Sequence, residues 1–140
     1  MSSPIIVVTA LIKNPTKDKL LIVKRKSSSL IHPNLWMFPG GKSEKGEDVL
    51  EALKREVKEE TNLEIFNLKK ISEYEYIRPN KTLTFGQCFS AISSSEGIIL
   101  NTKELESFAW VSPKEFKNYP HLKELDFEVK KAFSQLPKSI

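Results

Sequence analysis

The sequence predicts an α/β fold, an α/β/α sandwich around a mixed sheet. Three observations carry that prediction. Short runs of β-branched and aliphatic residues recur along the chain, two amphipathic helical patterns are set among and after them, and Gly, Pro, Asn and Asp mark the breaks between. Elements of both kinds must stack in layers, because each apolar face has to be covered by another element. At 140 residues the chain has the usual size of one domain, so residues 1–140 are expected to form a single unit, with no repeat and no long linker.

Residues 5–12, Ile-Ile-Val-Val-Thr-Ala-Leu-Ile, read as a buried strand. Asn14, Pro15, Thr16, Lys17 and Asp18 are turn residues, and residues 19–24 return as a second strand. Residues 35–38 form a short strand that enters Pro39-Gly40-Gly41. Residues 48–61 form a helix with Leu50, Leu53 and Val57 on one stripe. Residues 63–76 are strand material, Arg78-Pro79-Asn80-Lys81 turns the chain, and residues 82–92 are the antiparallel partner. Tyr74, Tyr76, Phe85 and Phe89 alternate as strand residues do and read as cross-strand packing, with base stacking as the alternative. After a surface loop at 93–97 come a short strand at 108–111 and a helical turn from Pro113 to Phe116. Leu122, Phe127, Val129, Phe133 and Leu136 then mark a C-terminal amphipathic helix.

Composition narrows the function classes. Hydrophobic residues make up 39% and charged residues 29%, the balance of a soluble globular domain, and no apolar run reaches membrane-spanning length. No leader pattern opens the chain, and the single Cys88 cannot form an intrachain disulfide, so a reducing cytoplasm is the expected location. The net charge is +4, and 19 of the 22 basic residues are lysines (22 less Arg25, Arg55 and Arg78). They are scattered, which favours solubility and attraction of anionic substrates over a dedicated nucleic-acid surface.

The helix at 48–61 carries the chemistry. Glu56 and Glu60 are i,i+4 neighbours and Glu59 is i,i+3 from Glu56, beside the apolar stripe. Ala52, one turn earlier, leaves room next to them, and Glu51 is placed to pair with Arg55 at i+4. Like charges at that spacing cost roughly 0.2–0.5 kcal/mol per pair. Acids in a last helical turn cost about 0.3–1 kcal/mol each against the helix dipole. A bound divalent cation would offset both. Oxygen ligands with no nearby His or Cys favour Mg²⁺ or Mn²⁺ over zinc, and Cys88, His32 and His121 cannot build an ordinary zinc site. Mg²⁺ completes its shell with water and phosphate, so the cluster points to phosphate chemistry.

Gly41-x5-Glu47-x7-Arg55-Glu56-Val57-x-Glu59-Glu60-x-Asn62-Leu63 resembles the Nudix box, the signature of the Nudix hydrolases, and spans 23 residues. Trp36-Met37-Phe38-Pro39-Gly40 resembles the lead-in of many members. The second glycine of the box is Asn62 here, a residue that also adopts the left-handed conformation of a helix C-cap. The resemblance implies the Nudix α/β/α sandwich. It also implies that Glu56, Glu59 and Glu60 hold one or more Mg²⁺ ions (Mn²⁺ as substitute), joined by the Gly40 carbonyl. By the same resemblance Arg55 orients the glutamates and Glu47 braces Arg55, and the choice of general base stays open. Family members place a further acid near residues 104–106, and Glu106 is preferred here over Glu104. Arg25, at the end of the second strand, is a candidate phosphate contact or a snorkelling strand-end residue, and Gly41 a candidate for close backbone approach to substrate.

The implied reaction is hydrolysis of a diphosphate linkage in a nucleoside diphosphate derivative. A (deoxy)nucleoside triphosphate, ordinary or oxidised, is the leading substrate. A nucleoside diphosphate sugar such as ADP-ribose is the enzymatic alternative, and capped or 5′-diphosphate RNA stays open. A Nudix module that senses a nucleotide without cleaving it is the alternative of another class, disfavoured by the intact acidic trio. A homodimer is a family-level expectation.

Overall fold

The computed structural model describes residues 3–29 and 32–134. Its elements in chain order are β1 (Ile5–Lys13), β2 (Leu20–Arg25), β3 (Trp36–Met37), β4 (Gly40–Lys42), α1 (Val49–Thr61), β5 (Ile65–Ile77), β6 (Leu83–Ser93), β7 (Leu105–Val111), α2 (Pro113–Phe116) and α3 (Leu125–Phe133). The strands form one seven-stranded mixed sheet with the path β3-β2-β1-β6-β5, to which β4 adds on β1 and β7 on β2. β1 runs parallel to β6 along its whole length. On its other side it pairs antiparallel with β4 at Val7–Thr9 and meets β2 only at Lys13↔Leu20. The Ala10 N–H donates to the Pro39 carbonyl at 2.9 Å, so the chain entering β4 occupies the space between the diverging β1 and β2.

Side-chain alternation on β1 and β2 makes two cores. Val8, Ala10, Ile12 and Leu21 point to one face and pack with Ala52, Leu53 and Val57 of α1. Leu11, Leu20 and Ile22 point to the other and pack with Phe116 of α2 and Val129 of α3. The expected α/β/α layering is therefore present.

α1 begins at Asp48, whose carboxylate accepts from the Leu50 and Glu51 N–H groups at 3.1 and 3.2 Å. It ends at Asn62, which is left-handed at φ 65°, with its N–H on the Lys58 carbonyl. The next segment crosses back over this end, where the Asn101 N–H meets the Glu60 carbonyl at 2.9 Å and the Ile99 N–H meets the Thr61 carbonyl at 3.1 Å. Two otherwise unpaired last-turn carbonyls are thereby satisfied.

Four local expectations change. Leu50 is 38% exposed, and the buried stripe is Ala52, Leu53, Val57 and Thr61. Ala52 is thus core instead of leaving room beside the acids. β4 is an unexpected strand, because Gly40-Gly41-Lys42 has no side-chain pattern to announce one. β7 starts three residues earlier than expected, at Leu105. In the C-terminal helix Leu125, Val129 and Phe133 face the core, whereas Leu122 and Phe127 are exposed, and Leu136 lies outside the described residues.

Candidate active site

Arg55 organises the acids. Its Nε and Nη2 donate to both Glu47 oxygens at 2.8 and 3.0 Å, and Nη2 also reaches the Lys42 carbonyl at 3.1 Å. Its Nη1 donates to Glu56 at 3.0 Å and to Glu59 at 3.3 Å. The Glu51 partner expected from helical spacing is not used; Glu47, the acid the resemblance set beside Arg55, faces the guanidinium fork and takes two parallel bonds. Arg55, with a further bond from the Glu44 N–H, holds Glu47 down at about 2. Glu47 is therefore a fixed anion, and Arg55 a fixed cation between it and the site.

Glu60 lies behind this group. Its carboxylate accepts from the Gly40 N–H at 3.0 Å. Burial pushes it up to about 8 despite that bond, and neighbouring Glu56 and Glu104 add to the rise. Glu56 is raised as well, first by burial and then by Glu59 and Glu104, with Arg55 opposing. Buried aliphatic side chains contribute roughly 1.5–3 kcal/mol each. Leu53 and Val57 thus anchor α1 firmly enough to carry acids whose mutual repulsion is smaller.

The glycines are fitted to these acids. A Cβ on Gly41 would lie 2.3 Å from Glu56 Oε1, and one on Gly40 would lie 2.1 Å from the Val8 carbonyl oxygen. β4 can therefore lie against β1 and beneath Glu56 only if both residues lack side chains.

A cleft of about 630 Å³ opens over this arrangement. Four carboxylates line it, Glu56, Glu59, Glu60 and Glu104, and four cations, Arg25, Lys42, Arg78 and Lys103. Gly40 and Gly41 form part of its wall. Arg25 Nε donates to Ser29 at 3.1 Å, which fixes the side chain at the mouth. The structure thus brings together Glu56, Glu59, Glu60, Gly40, Gly41 and Arg25, with Arg55 and Glu47 bracing the acids from outside the lining.

Glu106 is placed elsewhere. It pairs with Lys24 at 3.3 Å and does not line the cleft. Strand alternation explains this, because β7 buries Leu105 and turns Glu106 outward, leaving Glu104 at the cleft. Sequence reasoning also missed Asn101, Lys103, Lys42 and Arg78. Asn101 Oδ1 accepts from the Lys103 N–H at 3.0 Å, an Asx turn that shapes this part of the rim. The Asn-Thr-Lys-Glu run at 101–104 was the available signal.

Among the described residues no three His, Cys, Asp or Glu side chains converge as a preformed metal cage. Glu56 and Glu59 are instead held on Arg55. The donor chemistry nonetheless fits a divalent cation: all the donors are hard oxygens, and two are carboxylates that burial destabilises as anions.

Residues 4–135 match the model of the NUDIX domain. The chain belongs to the Nudix family. This Nudix chain is 27% identical over 110 residues to the nucleoside triphosphatase NudI of Escherichia coli, covering 71% of this chain and 77% of that protein. It is 37% identical over 68 residues to an 8-oxo-dGTP diphosphatase of Buchnera aphidicola, covering 49% of this chain and only about half, 52%, of that relative. Its fold is similar to the MutT NUDIX hydrolase of Burkholderia pseudomallei, with TM-score 0.76, 19% identity, and 93% and 98% of the two chains covered. It is also similar to the NUDIX domain of Shewanella oneidensis NrtR, solved with ADP ribose, with TM-score 0.79, 17% identity, and 98% and 91% covered. Nudix hydrolases generally use divalent metals. Among the described residues of this member no helix is long and apolar enough to cross a membrane.

Proposed function

We propose that this Nudix hydrolase is a Mg²⁺-dependent pyrophosphohydrolase of nucleoside triphosphates, with an ordinary or oxidised base, and with Mn²⁺ as the alternative cation. The carrying observation is the opposition of four carboxylates and four cations across one cleft. The cations suit a polyphosphate, and the carboxylates have a purpose there only if a metal separates them from its charge. NudI, a nucleoside triphosphatase, supports the same reading.

Glu56 and Glu60 would hold the ion, with Glu59 and the Gly40 carbonyl completing the protein share. When bound, the ion stabilises phosphoryl charge and makes a water more acidic. Arg55 keeps Glu56 and Glu59 in place, and Glu47 keeps Arg55 in place. Arg25, Lys42 and Lys103 take phosphoryl oxygens, and the Gly40-Gly41 backbone allows close approach. Glu104 is the lining carboxylate whose side chain makes no hydrogen bond among the described residues, its backbone carbonyl accepting from the Lys26 N–H. It accepts the proton of the attacking water at a carboxylate oxygen. Water oxygen bonds to phosphorus, the anhydride P–O bond breaks, and nucleoside monophosphate and pyrophosphate leave.

Glu104→Gln should lower kcat by about 10²–10⁴-fold, as for loss of a general base, while Glu106→Gln stays within a few-fold of wild type. Steady-state rates with a triphosphate and Mg²⁺ would show this, and the reverse ranking would return the role to Glu106. Faster turnover of ADP-ribose than of any triphosphate would replace the substrate reading.

A further inference from the structure

Lys13, Lys17 and Lys69 are far apart in the sequence and come together at the end of the sheet away from the cleft. Lys13 closes β1, and about 20 Å of strand, at about 3.3 Å per residue, separates it from Val7 in the cleft wall. Ile12 beside it packs on the α1 face, so Lys13 points to the α3 face. In register Lys13 neighbours Ile92 of β6, and Ile92 neighbours Phe66 of β5, which makes one row across three strands. Lys69, opposite Ser90, points to the same face. Phe66 is 50% exposed, and Ile92 is half-buried. Phe133, the last residue of α3, puts its ring under Lys13, with Nζ 4.8 Å from the centroid. Burial, and after it the charges of Lys17 and Lys69, hold the Lys13 ammonium below the usual lysine value. Among the described residues none of the three pairs with a carboxylate, whereas Lys70, on the opposite face, pairs with Glu73.

Gathered ammonium groups repel one another, and an anion that spans them offsets the repulsion. The ring set among them narrows the kind of anion. A single strand of nucleic acid alternates phosphates with flat bases, and every base stacks on an aromatic face whatever its identity. An anionic bilayer is bound instead by an amphipathic helix that buries a broad apolar face. Here the ring and two of the cations are fixed on strands. Lysines are point charges without the planar fork that reads a base edge. We propose that this surface binds single-stranded nucleic acid, RNA or DNA, with little regard to sequence. Lys13, Lys17 and Lys69 meet its phosphates, Phe66 stacks a base, and Phe133 holds Lys13 in place. The surface is separate from the cleft, so the inference does not rest on the hydrolase reading.

Fluorescence anisotropy of short labelled oligouridylate and oligothymidylate, with EDTA present and KCl varied, measures the binding. The logarithm of the association constant should fall against that of salt with a slope of about −2, about −0.7 for each of three phosphates. Lys17→Ala and Lys69→Ala, both at exposed positions, should each reduce that slope by about 0.7. Phe66→Ala should weaken binding about five-fold or more with the slope unchanged, and Lys70→Ala should bind as the wild type does. No binding of either oligomer at low salt, or an unchanged slope in both lysine variants, would overturn the proposal. Loss of binding in Arg25→Ala or Lys103→Ala would put the oligomer in the cleft and overturn it as well. Cosedimentation with phosphatidylserine vesicles supplies the last arm. Vesicle binding that requires Lys17 and Lys69, without oligomer binding, would make the surface a membrane contact and refute the nucleic-acid assignment.

Discussion

Glu60 is enclosed between α1 and β4, with the Gly40 N–H directed at its carboxylate, and burial moves it from an ordinary 4.5 up to about 8. The folded state therefore holds the proton more tightly than the unfolded state across that interval. In metal-free protein the associated stability is fully present below about 4.5, declines as pH rises, and is gone above about 8. Glu60→Gln removes this slope. Urea midpoints of chelator-treated wild type should fall from about pH 5 to about pH 8.5 more steeply than those of the variant; parallel curves would mean that the carboxylate is well solvated. By the same linkage, divalent cations should bind more tightly as pH rises to about 8, because the proton competes for the carboxylate. At this scale the acidic trio was readable in advance, since helical spacing alone places Glu56, Glu59 and Glu60 together. Helical spacing alone gave Arg55 the wrong partner, Glu51, because Glu47 reaches it from a loop whose path no periodicity describes; only the family resemblance pointed to Glu47. The exchange of Glu106 for Glu104 has a related cause: the phase of a strand depends on where it starts, and Leu105 was not recognised as the start of β7.

α1 and β4 together form the scaffold of the site, and their fit can be tested at two adjacent glycines. At Gly41 the obstacle to a Cβ is the flexible end of Glu56; at Gly40 it is the backbone of Val8 and Thr9. Gly41→Ala should therefore leave thermal stability nearly unchanged while displacing Glu56 and lowering kcat/KM by one or more orders of magnitude. Gly40→Ala should lower the melting temperature, because β4 must separate from β1. Equal melting temperatures for the two variants would contradict the pairing described here. The helix itself was legible to within a residue, as Asp48 and Asn62 signal both ends and both act as caps. β4 was not, since two glycines carry no alternation. The C-terminal helix was legible as an element but not in its facing, because Leu122 precedes it and Phe127 points to solvent.

Across the whole molecule, two cores on opposite faces of one sheet hold the cleft where β1 exchanges β2 for β4. The layered fold was legible because strands and helices with opposite apolar faces leave few other ways to bury them. The rim was not. Lys42, Arg78, Lys103 and Glu104 come from β4, the β5–β6 turn and the segment before β7, and only tertiary structure brings them to one cavity. Lys42 and Lys103 were read among the scattered solubilising lysines, Arg78 as a turn residue, and Glu104 was set behind Glu106. That assembled cavity is proposed to split nucleoside triphosphates, and analysis of the products distinguishes hydrolysis from binding alone. Purified protein with Mg²⁺ and each nucleoside triphosphate should release nucleoside monophosphate and pyrophosphate, identified by mass, with turnover abolished by chelation and restored by Mg²⁺. Absence of turnover across triphosphates, dinucleotides and nucleotide sugars, with either Mg²⁺ or Mn²⁺, would contradict it.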